Sequence, residues 1–212
     1  MAFIGWLVTA FVLFQIGIRV LFRLRPQPIP FGWSWLLENP WRRRYRDPEH
    51  TAARCNLKRT DTVLELGCGS GLFTPALAAR AGRLIAADIE PQYVAQTRAN
   101  TAGIGNLEYL RADASILPLA AGSVDVIVLI STLPEIPDPV RALRECARVL
   151  KQGGRIVISE ELFEPEYVPP AVTQRWAQEA GLRLVRHEGN YWVYFNHFES
   201  EPKEALENQS AL

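Results

Sequence analysis

The residues best suited to chemistry lie in one short run, Val63-Leu64-Glu65-Leu66-Gly67-Cys68-Gly69-Ser70-Gly71, where an apolar strand feeds a glycine loop and then a helix expected from Leu72. Glycines at 67, 69 and 71 let the backbone turn sharply and approach a ligand with no Cβ in the way. Dinucleotide sites use G-x-G-x-x-G, whereas here the third glycine comes one residue early and Leu72 occupies the position of the last. Glu65, ahead of the first glycine, would repel a pyrophosphate but can balance a ligand carrying an ammonium and a sulfonium. A second acid, Asp88, ends the run Leu84-Ile85-Ala86-Ala87 17 residues after Gly71, where a carboxylate can accept both hydroxyls of a ribose. Asp113, in Leu110-Arg111-Ala112-Asp113-Ala114, closes a third strand within reach of an adenine amine. A fourth strand, Val124 to Ile130, opens into Ser131-Thr132-Leu133-Pro134-Glu135. Any one of these acids is an ordinary strand end or helix cap. In register, they mark the carboxyl edge of a doubly wound sheet, where such folds bind ligands.

The elements that must hold these residues follow from periodicity. Apolar runs at 62–66, 83–88, 107–110, 124–130 and 155–159 alternate with helical stretches near 72–80, 91–101 and 139–150. Near-continuous apolar strands alternating with helices imply a parallel sheet covered on both faces. Asp47-Pro48 starts a short helix through about Leu57, Glu90-Pro91 and Asp138-Pro139 start two more, and Gly153-Gly154 is read as a stop. Residues 171–180 give another helix ending at Gly181, and LRLVRH and YWVYFNHF follow so closely that they suggest a hairpin.

Charge is unevenly placed. Residues 1–46 hold seven arginines against Glu38, and the rest of the chain holds 16 basic and 22 acidic side chains. A basic segment beside an apolar run points to anionic headgroups; nucleic acid is not an expected partner, since it would need a basic face on the domain itself. From Ala2 to Phe22 only Thr9, Gln15 and Arg19 interrupt apolar residues, enough for a helix crossing a core of about 30 Å. No charge precedes this run, and Arg19, Arg23 and Arg25 crowd its end, so it reads as a retained anchor at residues 3–22 with the bulk of the chain in the cytoplasm. A buried or in-plane helix is the alternative. Pro26, Pro28 and Pro30 make a stiff spacer. Trp33, Trp35 and Trp41 with Arg42, Arg43, Arg44 and Arg46 then mix rings and cations, which suits either a bilayer interface or packing on the domain. Cys55, Cys68 and Cys146 form no CxxC or Cys/His cluster and read as reduced packing residues; no metal site is expected.

Taken together, ELGCGSG, the Asp88 strand end, RADA, GSVDVIVLISTLPEIPDP and LRECARVLKQGGRIVISE resemble the class I S-adenosylmethionine-dependent methyltransferases, in particular the bacterial ubiquinone and menaquinone C-methyltransferase branch, over residues 47–198. The resemblance implies an α/β fold: a doubly wound, mostly parallel seven-stranded Rossmann-like sheet with an antiparallel final hairpin. It assigns Gly67, Gly69 and Gly71 to the methionine part of S-adenosylmethionine, Asp88 to the ribose, Asp113 with Ala114 to the adenine, and Ser131 to the cofactor's edge. Glu65 would hold the loop and the amino group indirectly. The layout expected is an anchor at 1–25, a juxtamembrane segment at 26–46, a methyltransferase domain at 47–198 and a polar tail at 199–212.

One departure stands out: relatives often carry a histidine pair after the fourth strand, where this chain has Leu133-Pro134-Glu135. Glu135 could serve there, though an isolated carboxylate is more often a solvated loop residue. His187, His197, Tyr191 and Tyr194 read as structural. No catalytic base is named, which suits methyl transfer, because an activated methyl mainly needs in-line positioning and exclusion of water. The leading expectation is transfer to a small lipophilic or membrane-embedded acceptor. The alternatives are a non-catalytic cofactor-binding scaffold and, more remotely, an oxidoreductase. The link from Leu162 to Pro170 is too short for a substrate cap, so residues 26–60 must roof the site or leave it open.

Overall fold

The computed structural model describes residues 40–200 and, before them, positions 5, 6, 9, 10, 13, 17, 19 and 20. Among the described residues no helix is long and apolar enough to cross a membrane. Most of the run at 3–22, and Trp33 and Trp35, lie outside the described residues.

From Pro40 the chain forms α1 (Pro40–Tyr45), α2 (Pro48–Arg54), β1 (Thr62–Leu66), α3 (Thr74–Ala78), β2 (Arg83–Asp88), α4 (Pro91–Asn100), β3 (Leu107–Arg111), β4 (Val124–Ile130), a 3₁₀ turn (Leu133–Glu135) and α5 (Pro139–Val149). It ends with β5 (Leu150–Glu161), α6 (Pro170–Glu179), β6 (Leu182–Gly189) and β7 (Val193–Ser200). The seven strands make one sheet in the order β3-β2-β1-β4-β5-β7-β6. β1 to β5 are parallel, and β7 runs antiparallel to both β5 and β6. Strand order reverses beside β1, so β1 and β4 open a crevice at their carboxyl ends, the usual ligand position in such sheets.

Alternate residues of the central strands feed two cores. Leu64, Ile85, Ile127 and Ile156 pack on one face with Leu143 and Cys146 of α5; Val63, Leu84, Val126 and Val157 pack on the other with Leu77 of α3 and Cys55. Burial on both faces explains why these strands read as unbroken apolar runs. All three cysteines are buried thiols.

The helix from Pro48 ends at Arg54 rather than near Leu57, and β5 is longer than the run at 155–159; three further boundaries differ from the sequence reading. The helix after the glycine loop starts at Thr74, not Leu72, because Pro75 favours the first helical position and the loop takes up the intervening residues. Gly153 and Gly154 stop no helix: α5 ends at Val149, and the glycines lie within β5, at an irregularity in its pairing with β4. A Cβ on Gly154 would lie 2.9 Å from the Asp125 carbonyl, so glycine there serves strand approach. Residues 199 and 200, expected in a tail, complete β7.

Glu65 is an acid set within the apolar run of β1. It is buried in β1 and accepts a hydrogen bond from Thr74 Oγ1 at 2.7 Å, tying β1 to the first turn of α3. Burial pushes its carboxyl from an ordinary value near 4.5 up to about 8, the Thr74 hydroxyl opposing this and Asp88 adding to it. The folded state therefore binds a proton that the unfolded chain has released between about pH 4.5 and 8, so this group's contribution to stability falls as pH rises through that window. Glu65→Gln keeps an acceptor for Thr74. Relative to the unaltered chain, it should gain on the order of 2–4 kcal/mol between pH 5 and 9, by denaturant melts of the ligand-free protein. A difference that stays flat with pH would show that Glu65 is not held protonated.

Candidate active site

The loop after β1 is folded back against β2. The N–H groups of Gly67 and Cys68 both donate to the Ala87 carbonyl, at 2.8 and 3.0 Å, that of Gly69 donates to Asp88 Oδ2 at 2.9 Å, and that of Gly71 to the Cys68 carbonyl at 2.9 Å. From α4, Thr97 Oγ1 donates to the Gly69 carbonyl at 2.7 Å and Asn100 Nδ2 to the Ser70 carbonyl at 2.9 Å. Gly67 has φ +79°, and a Cβ there would sit 2.4 Å from Thr132 Oγ1, so both conformation and space require glycine. Gly71, at φ +86°, is favoured by its conformation, a Cβ there lying 3.1 Å from Thr97 Cγ2.

This geometry decides which charge the loop can hold. A phosphate-binding loop presents free N–H groups and the N-terminus of a full helix. Here the N–H groups of Gly67, Cys68, Gly69 and Gly71 are already engaged, and the helix that follows has five residues. The nearby charges are carboxylates. The loop suits a cationic ligand and is unsuited to a pyrophosphate.

Beyond the loop opens a cavity of about 490 Å³, within the range of roughly 300–1,000 Å³ usual for small-molecule sites. Gly67, Gly69, Asp88, Asp113, Ala114 and Ser131 all line it; Glu65 and Gly71 do not, Glu65 lying beneath the loop against Thr74 and Gly71 against Thr97. Asp88 is buried at the end of β2, and its second oxygen, Oδ1, accepts the Glu90 N–H at 3.0 Å. It thus fixes both the glycine loop and the start of α4. Desolvation raises its carboxyl, and these N–H bonds oppose the rise. Asp113 is exposed and caps its own turn, accepting from the Ser115 N–H at 2.7 Å. Next to it, Ile89 and Ile116 line the cavity while 42% and 65% exposed, an apolar slot open to a flat ring. Ser131 has φ +52°, rare outside glycine, and its hydroxyl donates to Glu161 at 3.3 Å.

The opposite wall comes from α1 and the segment after β5. Arg42 is buried and pairs with Glu161 at 2.5 Å and Glu164 at 2.6 Å. Burial works against its charge, yet Glu164 and Glu161 outweigh it and raise its pKa. Arg46 is buried over the rings of Phe195 and Phe73, 5.0 and 5.9 Å from their centroids, and donates to Ser159. Of the two alternatives for this segment, Arg42 and Arg46 take packing on the domain, where both are clamped, while Arg43 and Arg44 face outward. Trp41 stacks on Tyr45 and Phe163 and remains 57% exposed.

Glu135 corrects the sequence reading. Its 3₁₀ turn turns it into the cavity rather than to solvent, and burial first, then Glu166, Glu164, Asp88 and Glu160, push its carboxyl well above the usual range. The hairpin residues stay structural: Tyr194 donates to the Val168 carbonyl at 2.9 Å and His187 Nδ1 meets Asn196 Oδ1 at 2.7 Å, while Tyr191 is exposed; none of the three, nor His197, lines the cavity. Sequence reasoning missed Thr97 and Asn100, whose three-residue spacing on α4 is the one available signal, and Thr132, Arg42 and Glu164, whose roles depend on contacts distant in sequence. Among the described residues no cluster could hold a metal ion.

Comparison with known proteins gives this site a context. Residues 64–158 match the family model described as a methyltransferase domain. The chain is 36% identical over 124 residues to a Mycobacterium tuberculosis protein named as a probable S-adenosylmethionine-dependent methyltransferase, covering 58% of this chain and 43% of that one. It is likewise 36% identical over 118 residues to a ubiquinone/menaquinone biosynthesis C-methyltransferase of Klebsiella pneumoniae, covering 51% and 47%. The chain thus spans less than half the length of these two curated relatives. In fold it is similar to the crystal structure of a SAM-dependent methyltransferase from Aquifex aeolicus, with a TM-score of 0.71, 24% identity and coverage of 81% and 98%. The glycine loop lies in a segment similar to a methyltransferase domain, and the seven-stranded sheet that carries it has a fold similar to that of the Aquifex aeolicus structure.

Proposed function

We propose that this chain transfers a methyl group from S-adenosylmethionine to a small lipophilic acceptor, and that residues 3–22 hold it at a membrane with the domain on the cytoplasmic side. The observation that carries the cofactor part is the state of the glycine loop: its N–H groups are engaged within the protein and its surroundings are acidic, which fits an amino acid bearing a sulfonium. Bound there, S-adenosylmethionine supplies a methyl already activated by the positive sulfur. The chain's residues hold it in place: Asp88 is positioned for the ribose hydroxyls, Ile89, Ala114 and Ile116 for the flat face of an adenine, and Ser131 and Thr132 at the edge toward the acceptor. Arg42 and Glu164 wall the other side and limit water.

Two observations support a lipophilic acceptor. One of the relatives is named for ubiquinone and menaquinone biosynthesis. Beside the cavity wall, Trp41, Tyr45, Phe163 and Trp192 form a chain of ring contacts, with centroids 4.6 to 5.7 Å apart, and Trp41 and Trp192 are both 57% exposed. Partly exposed Trp and Tyr rings with Arg43 and Arg44 alongside have the chemistry of a membrane interface. Arg19 donates to the carbonyl of Leu162, next to Phe163.

Titration with S-adenosylmethionine and with NADH should give binding by the first alone. Asp88→Ala should weaken it by about 1–3 kcal/mol through lost ribose bonds and a loosened loop; an unchanged affinity in the folded variant would remove Asp88 as a ligand. A lipid extract incubated with labelled methyl donor should acquire label in its organic fraction, and label confined to the aqueous fraction would exclude a lipophilic acceptor. The full chain should stay with membranes through alkaline carbonate, and a chain beginning at residue 26 should be recovered soluble with cofactor affinity intact. If the shortened, folded chain still pellets, residues 3–22 are not the anchor.

A further inference from the structure

The acids lining the cavity differ in how far they are committed. Asp88 holds the N–H groups of Gly69 and Glu90, Asp113 that of Ser115, Asp138 caps α5 through the Arg141 N–H at 2.9 Å, and Glu164 pairs with Arg42. Glu135 is the exception: among the described residues its carboxylate takes no hydrogen bond and no ion pair. Such a group in a recessed, largely apolar site is costly unless a ligand satisfies it. Its backbone position is firm, since the Glu135 N–H donates to the Thr132 carbonyl at 3.1 Å and Leu133 beside it is fully buried. Thr132 in turn packs against Gly67, so the turn that aims Glu135 is built directly on the glycine loop.

We propose that Glu135 receives the nucleophilic atom of the acceptor and the proton that atom sheds. The inference rests on the methyltransferase reading above. An acceptor bearing N–H, O–H or S–H would donate to a Glu135 oxygen, which both orients its lone pair and supplies the base. As the bond from that atom to the methyl carbon forms, the carbon–sulfur bond breaks with its electron pair left on sulfur, and the proton passes to Glu135. The product is the methylated acceptor, a neutral thioether and a protonated carboxyl. Burial and the surrounding Glu166, Glu164, Asp88 and Glu160 strengthen the carboxylate as a proton acceptor, and a sulfonium nearby favours its ionised form.

The test needs no knowledge of the acceptor. Sinefungin carries an amine-bearing carbon where the cofactor has its methylated sulfur, so its ammonium projects where the methyl and nucleophile meet; S-adenosylhomocysteine has nothing there. With the full chain at pH 7.5, calorimetry should show sinefungin favoured. Glu135→Gln should reduce that preference at least tenfold while S-adenosylhomocysteine binds within about twofold of the unaltered chain, and Glu135→Asp should restore part of it. An unchanged preference in Glu135→Gln, or equal loss of both ligands, would overturn the role of Glu135. Failure of the unaltered chain to bind either ligand would overturn the cofactor reading, and this inference with it.

Discussion

The site depends on one tight turn. Gly67 must pass between the Ala87 carbonyl, which holds its N–H, and the side chain of Thr132, which leaves no room for a Cβ. β2 and the end of β4 therefore reach the loop from opposite sides and fix the distance between Asp88 and the turn carrying Glu135. Any residue larger than glycine would have to displace Thr132, and with it the turn that carries Glu135. The Asp88 side and the Glu135 side of the cavity are thus set by the same contact.

Electrostatics follow from what this turn encloses. Glu65, Asp88, Glu135 and Glu164 all sit where burial raises their carboxyl groups, against Arg42 as the cation that pairs with Glu164. Crowded carboxylates with little solvent favour either shared protons or a positive guest. A sulfonium ligand answers that need, whereas a nicotinamide pyrophosphate would add to the repulsion. The Arg42 pairing with Glu161 and Glu164 is internal, so its loss would leave buried charges uncompensated, an effect of about 3–5 kcal/mol in comparable cases.

The parts of the fold legible in the sequence were those governed by local pattern. β1, β2 and β4 lie at the expected residues because strands covered on both faces read as plain apolar runs, and the closing hairpin followed from two runs too close for a crossover. The glycine loop and its acids were legible because their spacing along the chain mirrors their position along one sheet edge. Arg42 and Arg46 were not: next to tryptophans they have the composition of an interface, and only partners more than a hundred residues away, Glu161 and Glu164 for Arg42 and Ser159 and Phe195 for Arg46, turn them inward. Glu135 was misplaced for a related reason, since whether a loop carboxylate meets water depends on what stands opposite, here the wall built from α1 and the segment after β5. The Gly153-Gly154 pair was misread because a glycine that permits strands to approach has the same spelling as one that ends a helix.

The two halves of the cavity are built from different materials. The loop is shaped by main-chain bonds that allow few residue types at few positions, whereas the facing wall is made of side chains from two separate stretches, at Arg42 and Glu164. A lineage could therefore exchange the facing wall piece by piece while the loop stayed as it is. The loop side of the cavity is thus tightly restricted in residue type, and the facing side can change one side chain at a time.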